Sequence, residues 1–358
     1  MLKTNGKSVR LTTADWHAPG NKENKLLVLY SRLDRFHQKI CDVLFDLCRG
    51  TFIEKNYVCE LLIPKQMYFP EVWGKRINYL LYVVFYDHPD MFWIPDLIPQ
   101  VYYDVTYEAN GLFVRVQTSF HGDHSHYGHH MALFEKAVSE FLKNIQRTRP
   151  AHEIERQIHD RLIDMISYDK KAVDSFNPFS YSAYGALVKN EAGFSNLAVC
   201  IGYSHAFQLL LQRCGIPAAT IVGYAYIYGK KPDRPHAWNL ICLDEEWYET
   251  DLCWNDIIDL NDPNLDASIL RRAKKDRAHL TNIRHRYFNR TTEQMKDMNP
   301  GKEYELRSFW EGSYKPVVRE VHIRCEEGLM LLKDMDLYNY MNKYLPVAKG
   351  VKYAYKPL

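Results

Sequence analysis

Val199-Cys200-Ile201-Gly202-Tyr203-Ser204-His205-Ala206-Phe207-Gln208-Leu209-Leu210-Leu211-Gln212-Arg213-Cys214-Gly215-Ile216-Pro217 is the stretch that decides the fold. Phe207, Leu210 and Leu211 recur at helical spacing, and Gly215 supplies a residue free to take the left-handed conformation that ends a helix. The spacing predicts a helix from about 200 to 214 that carries a cysteine on its first turn. Strand signals follow over residues 219–228, 237–243 and 247–252. The segment Gly229-Lys230-Lys231-Pro232-Asp233-Arg234-Pro235 reads as a turn, and Asp244-Glu245-Glu246 as a tight hairpin. A helix followed by antiparallel strands predicts an α+β core.

Within this block stand the residue types that thiol catalysis needs. Cys200 sits at the predicted helix start, where the macrodipole and free N–H groups favour thiolate over thiol. His236 opens one strand and Asp251 ends the next. A nearby imidazole holds the thiolate as an ion pair and later protonates the leaving amine. A carboxylate behind it fixes the tautomer and stabilises the imidazolium. Measured from the hairpin centre near Glu245, His236 and Asp251 are nine and six residues away. Antiparallel pairing therefore brings the two side chains together with a small offset.

Their surroundings are more specific than the residues alone. Val199-Cys200-Ile201-Gly202-Tyr203, Cys214-Gly215-Ile216-Pro217, His236-Ala237-Trp238-Asn239 and Trp247-Tyr248 with Asp251 succeed one another in order. This series resembles the transglutaminase-like (papain-like thiol) superfamily, over about residues 153–256. Tyr287-Phe288-Asn289-Arg290-Thr291-Thr292 also resembles the segment C-terminal to the core in bacterial-type members. The resemblance implies a papain/transglutaminase-like core, in which the helix bearing Cys200 packs on an antiparallel sheet bearing His236 and Asp251. It further implies a Cys-His-Asp triad working through a thioester on peptide or side-chain amides. Ser204 stands where a small Ala is common, and residues 193–197 lengthen the approach to the cysteine. An acyl-transfer site also needs donors for the developing oxyanion. The backbone N–H of Cys200 is one candidate, and by position in the family pattern the Tyr184 side chain is another.

Outward from this core, residues 25–48 carry apolar side chains at helical spacing, ending at Gly50, and a second helix is expected over 71–86. Val101, Tyr103 and Val105, then Leu112, Val114 and Val116, alternate about Asn110-Gly111 and predict a hairpin. Two amphipathic helices flank Pro150, which cannot continue a helix. The expected organisation is an N-terminal α+β module over 1–150, the catalytic core over 151–260 and an extension over 261–358 packed on the core.

Composition narrows the classes. The 358 residues hold 46 Lys+Arg against 44 Asp+Glu, a net charge of +2 that gives no reason to expect nucleic acid. No run is apolar and long enough to span a membrane, and the first residues lack a secretory signal, so a cytoplasmic protein is expected. Eight cysteines without a CxxC pair fit neither a disulfide scaffold nor a zinc ribbon. The tract from His121 to His130 holds five histidines at no defined ligand spacing and reads as a solvated loop rather than a metal site. No cofactor is expected, and the partner is a protein or peptide substrate. Three functional classes compete. The first is a cysteine peptidase or amidase, with a protein-glutamine transglutaminase as its close alternative. The second is a non-catalytic peptide- or protein-binding scaffold, and the third a metal hydrolase built on the histidine tract.

Overall fold

Asp34 starts the first long helix by accepting a hydrogen bond from the His37 amide at 2.9 Å, the contact that makes aspartate a favoured N-cap. The computed structural model describes residues 4–97, 101–120, 124–189, 196–227, 235–256, 265–296, 320–324 and 345–356, apart from positions 17, 55, 125 and 266. They form two compact units, Met1–Ser139 and Glu140–Leu358. The first contains β1 (Ser8–Arg10), α1 (Arg35–Gly50), β2 (Val58–Pro64), α2 (Pro70–Asp87), α3 (Ile94–Leu97), β3 (Val101–Tyr107), β4 (Phe113–Phe120) and most of α4 (Tyr127–Leu142). Its strands make one sheet in the order β1-β2-β4-β3, parallel only at β1–β2.

The helix expected over 25–48 begins later than its apolar spacing suggests. Residues 30–32 form a tight turn, and Asp34 fixes the helical start. Gly50 is the last helical residue rather than a left-handed stop. A Cβ there would lie 2.1 Å from the Tyr57 ring, so packing demands the glycine. The predicted hairpin is present as β3 and β4, paired from Val101–Phe120 to Tyr107–Val114. Glu108 pairs back to Phe113, so residues 109–112 form the loop and Gly111 takes φ +68°.

The second unit continues with α5 (Ala151–Ile163), β5 (Ile166–Tyr168), α6 (Lys170–Asp174), α7 (Ala183–Leu187), β6 (Asn196–Ala198), α8 (Cys200–Arg213), β7 (Ala218–Ile227), β8 (His236–Leu243), β9 (Glu246–Thr250), α9 (Leu252–Asn255), α10 (Ala267–Lys275), α11 (Arg277–Arg284), α12 (Thr292–Lys296) and β10 (Glu320–Arg324). The order β10-β7-β8-β9 makes an antiparallel sheet. Strands β5 and β6 pair in parallel as a separate two-stranded sheet. Gly215 takes φ +79°, and the Ile216 amide donates to Leu211 O, closing α8 as the sequence predicts.

Helix α8 is buried along nearly its whole length, from Gly202 to Leu211. It packs on β7 and β8, with Phe207, Leu210, Ile221, Trp238 and Leu240 fully enclosed. At roughly 1.5–3 kcal/mol for each large apolar side chain removed from water, this layer holds the helix against the sheet. The result is an α+β fold in which the helix bearing Cys200 packs on an antiparallel sheet, as expected. Residues 229–234, 191–195 and most of 297–344 lie outside the described residues, including part of the turn and of the lengthened approach read from the sequence.

Candidate active site

Three elements converge on one point. Cys200 is the first residue of α8, and Val199 before it is extended. The first turn of that helix is crowded by the chain that precedes it. A Cβ on Gly202 would lie 2.5 Å from Ser180 O and 3.0 Å from Ser182 O. The Val199 amide donates to the same Ser180 carbonyl at 3.0 Å. Glycine in the Cys-x-Gly-Tyr motif is therefore what lets residues 180–182 lie against the cysteine-bearing turn. Ser204, buried one turn on, donates to Cys200 O at 3.0 Å, so its hydroxyl is accommodated within the helix.

The His236 side of the site is set by the β8–β9 hairpin. Asp244 and Glu245 have φ of +49° and +66°, so the turn consists of these two residues and Glu246 already belongs to β9. The ladder runs from Leu243–Glu246 to Asn239–Thr250. Continued one step, it would set Asp251 opposite Trp238, two residues from His236 and on the same face. Instead the chain turns there. Asp251 caps α9, its Oδ1 accepting from the Trp254 amide at 2.9 Å, and its other oxygen meets His236 Nε2 at 2.6 Å. The strand expected to reach residue 252 thus ends at Thr250, because the cap redirects it.

With Nε2 bound to Asp251, the other ring nitrogen of His236 remains for the Cys200 thiol, which is within side-chain hydrogen-bonding reach. The sequence-predicted trio Cys200, His236 and Asp251 is brought together. Asp251 is fully buried and His236 is 8% exposed, while Cys200 is half-buried. Burial alone would discharge the ring. The Asp251 carboxylate, its hydrogen bond and the Cys200 sulfur outweigh burial and raise the imidazolium pKa to about 10. Cys253, on the next turn of chain, is held neutral: burial and the Asp251 charge push its thiol well above the ordinary value.

Buried polar contacts fix the supporting frame. Asn239 Nδ2 donates to Ser204 O at 2.9 Å, tying β8 to α8. The Trp238 indole donates to Glu249 at 2.6 Å, and the Thr292 hydroxyl binds the other oxygen of that carboxylate. Trp238 and Trp254 flank the His236 ring, at 6.1 and 5.5 Å between centroids. Tyr184 lies on α7, which packs on α8, and its ring rests against Phe179 at 4.6 Å.

Sequence reading passed over Glu155, His159 and Asn255, all fully buried behind the site. On α5 the first two stand beside the apolar Ile154 and Ile158, and polar neighbours of an apolar stripe read as solvent-facing. Their spacing of four residues is the only signal that both lie on one face. Among the described residues, one group of side chains has metal-ligand spacing: His159, Asp160 and His285, whose ligand atoms lie within 4.8 Å. Hydrogen bonding decides its chemistry. Asn255 Oδ1 accepts from the Tyr287 amide at 2.8 Å, so Nδ2 must donate to His159 Nε2 at 3.0 Å. The proton of His159 then sits on Nδ1 and points at Asp160 Oδ1, 2.9 Å away, where a metal would need a lone pair. In that arrangement His159 has no lone pair to offer an ion. His124, His126, His129 and His130 of the histidine tract belong to no such group among the described residues, and no helix there is long and apolar enough to cross a membrane.

Comparisons with known proteins agree with this reading of the core. Residues 139–252 match the model of the transglutaminase-like superfamily. No curated protein matches the chain. Solved structures with detectable likeness include a TGase, at 13% identity over 59% of this chain and 54% of that one, TM-score 0.27. Another is a proposed cysteine protease from Cytophaga hutchinsonii, at 18% identity over 44% and 63%, TM-score 0.26. A third is a proposed protease from Parabacteroides distasonis, at 10% identity over 55% and 40%, TM-score 0.21. The chain thus spans between 40% and 63% of the lengths of these proteins. At such scores they carry no argument beyond the family model. By that model and its own four motifs, the segment 139–252 belongs to the transglutaminase-like superfamily.

Proposed function

We propose that this protein is a thiol acyl-transfer enzyme acting on peptide or side-chain amides, with hydrolysis as its reaction. The observation that carries the reading is the position of His236, held as an imidazolium between Cys200 and the buried Asp251 carboxylate. Cys200 supplies a thiolate that attacks the amide carbonyl. The Cys200 amide, at the open start of α8, donates to the developing oxyanion, and the Tyr184 hydroxyl is the proposed second donor. His236 gives its proton to the departing amine, leaving an acyl group on sulfur as a thioester. The ring, now neutral, takes a proton from water. The resulting hydroxide equivalent attacks the thioester, releases the carboxylic acid and returns the thiolate. Asp251 keeps the Nε2 proton in place throughout.

In this reading the catalytic core spans 151–260, the N-terminal module 1–150 and the extension 261–358. The extension contributes β10 and the chain around Tyr287 to the core. The substrate is a protein or peptide. Free cysteines at every described position support a reducing, cytoplasmic setting. Incubation with peptides rich in glutamine and asparagine, with and without a primary amine, tests the reaction. Release of ammonia or new termini without amine incorporation, abolished by Cys200→Ala, is expected. Incorporation of the amine at the expense of hydrolysis would make the protein a transglutaminase instead. Peptide binding without turnover would make it a scaffold.

A further inference from the structure

The carboxylate that holds His236 stands on a helix of a single turn, and a lone turn has little rigidity of its own. Asp251 forms the N-cap of α9 and Asn255 its last residue, with the Asn255 amide donating to Asp251 O at 3.0 Å. One residue from outside grips both ends. Tyr287 O accepts from the Asp251 amide at 3.0 Å, and the Tyr287 amide donates to Asn255 Oδ1 at 2.8 Å. The remaining polar atom of Asn255, Nδ2, donates to His159 Nε2 on α5 at 3.0 Å. Every member of this chain is buried: Asn255, His159 and Asp251 are at 0% exposure and Tyr287 at 1%.

A buried amide with both ends engaged has one orientation. Asn255 can reach His159 only while its Oδ1 faces Tyr287, and Tyr287 can bind Asp251 only while its carbonyl faces the N-cap. From these contacts we infer that Asn255, locked by His159, is a positioning residue that sets where the Asp251 carboxylate meets His236. The inference rests on the triad proposed above, because it concerns the residue that orients one member of it. His159 must remain an acceptor at Nε2 for the lock to hold. It is neutral, since burial lowers its pKa to about 4. It is faced by Asp160 on its own helix and by His285 and Arg284 at the end of α11.

The pH profile of Cys200 alkylation by iodoacetamide reads this positioning without a known substrate, since the thiolate of the ion pair is the nucleophile. In Asn255→Ala the Tyr287 amide loses its acceptor and His159 its donor. In His159→Phe, Asn255 loses the acceptor that orients it. The variant His159→Gln presents an amide oxygen near the same place and can still accept. If Asn255 positions Asp251, N255A and H159F shift the profile of Cys200 upward by about one pH unit. On the rising limb of the profile that is a loss of about tenfold in alkylation rate. H159Q keeps the parent profile.

Asp251→Ala is the reference arm. If D251A shifts the profile while N255A and H159F leave it in place, whatever their melting temperatures, Asn255 is structural and the inference is overturned alone. If D251A leaves the profile unchanged too, the triad reading falls and takes the inference with it. Should N255A fail to fold, the contrast between H159F and H159Q decides by itself.

Discussion

Asp251→Asn removes one charge and almost nothing else. Asparagine keeps the length of the side chain and remains a good helix N-cap, so it continues to accept from the Trp254 amide. The group presented to His236 Nε2 changes, from a carboxylate that accepted at 2.6 Å to an amide that donates. The native ring binds its proton with a pKa of about 10 against an ordinary 6.5, tighter by on the order of 5 kcal/mol. Burial opposes this, so Asp251 and Cys200 supply all of it. A neighbouring opposite charge accounts for about one to three pH units, and here the charge is also hydrogen-bonded. His236 in D251N is therefore expected to titrate near 7, roughly three units lower. The neutral ring would also carry its proton on the nitrogen facing Cys200, the wrong tautomer for a base, and acyl transfer should fall by about 10³–10⁴-fold. Histidine-selective NMR titration, with the His236 signal identified by its loss in His236→Ala, measures the shift. Because the folded-state pKa is raised, the interaction stabilises the fold in full below pH 6.5, and this is lost as pH rises through about 10. The melting-temperature gap between parent and D251N should close over the same interval. A His236 that titrates alike in both proteins would refute the reasoning.

Gly202→Ala should lower stability by about 1–3 kcal/mol in denaturant titration, since the new Cβ meets Ser180 O at 2.5 Å and backbone must move. It should also slow alkylation of Cys200, whose turn is the one displaced; parent-like stability would mean the segment is free to yield. Trp238→Phe leaves Glu249 without its indole donor and should cost about 1–3 kcal/mol, checked by thermal melts; a neutral result would make that contact dispensable. Glu155 is buried and its pKa is raised to about 8, with Asn289 as its hydrogen-bond donor. Its contribution to stability therefore falls as pH rises from 4.5 through 8, where the unfolded carboxyl ionises first. Glu155→Gln should flatten that loss and be relatively most stabilising above about pH 8, and a Tm difference from the parent that is constant between about pH 5 and 9 would contradict it.

Much of the core was legible because its residues answer to local physics. Gly215 ends α8 with a positive φ, and the apolar run from Ala237 to Leu243, bounded by turn residues, marked β8 as a strand. The converging trio could be read because Cys200 begins a helix and His236 and Asp251 flank one hairpin. Legibility failed where tertiary contacts override pattern. Residues 25–33 carry helical apolar spacing, yet the Leu29 and Tyr30 amides bind the buried Asp87 carboxylate, which holds that segment out of the helix. β2 is buried at nearly every position, and a strand covered on both faces shows no alternation. Asn255, His159 and Glu155 were invisible for a related reason. A polar residue at the edge of an apolar stripe looks solvated until α5 is packed against α8 and α9. The Tyr287-Phe288-Asn289 motif was visible as a family likeness, but its work on Asp251 appears only from the bonds of its backbone.

The central claim is that Cys200 differs chemically from the other cysteines, and competitive alkylation of the native protein at about pH 6 tests it most directly. Burial pushes the thiols of Cys41, Cys48, Cys59, Cys214 and Cys253 above the ordinary range, so these should react slowly or not at all. Brief treatment with iodoacetamide, followed by peptide mass mapping, should find Cys200 labelled first, with His236→Ala abolishing its lead. Equal labelling across the cysteines, or a Cys200 that reacts only after denaturation, would contradict the account.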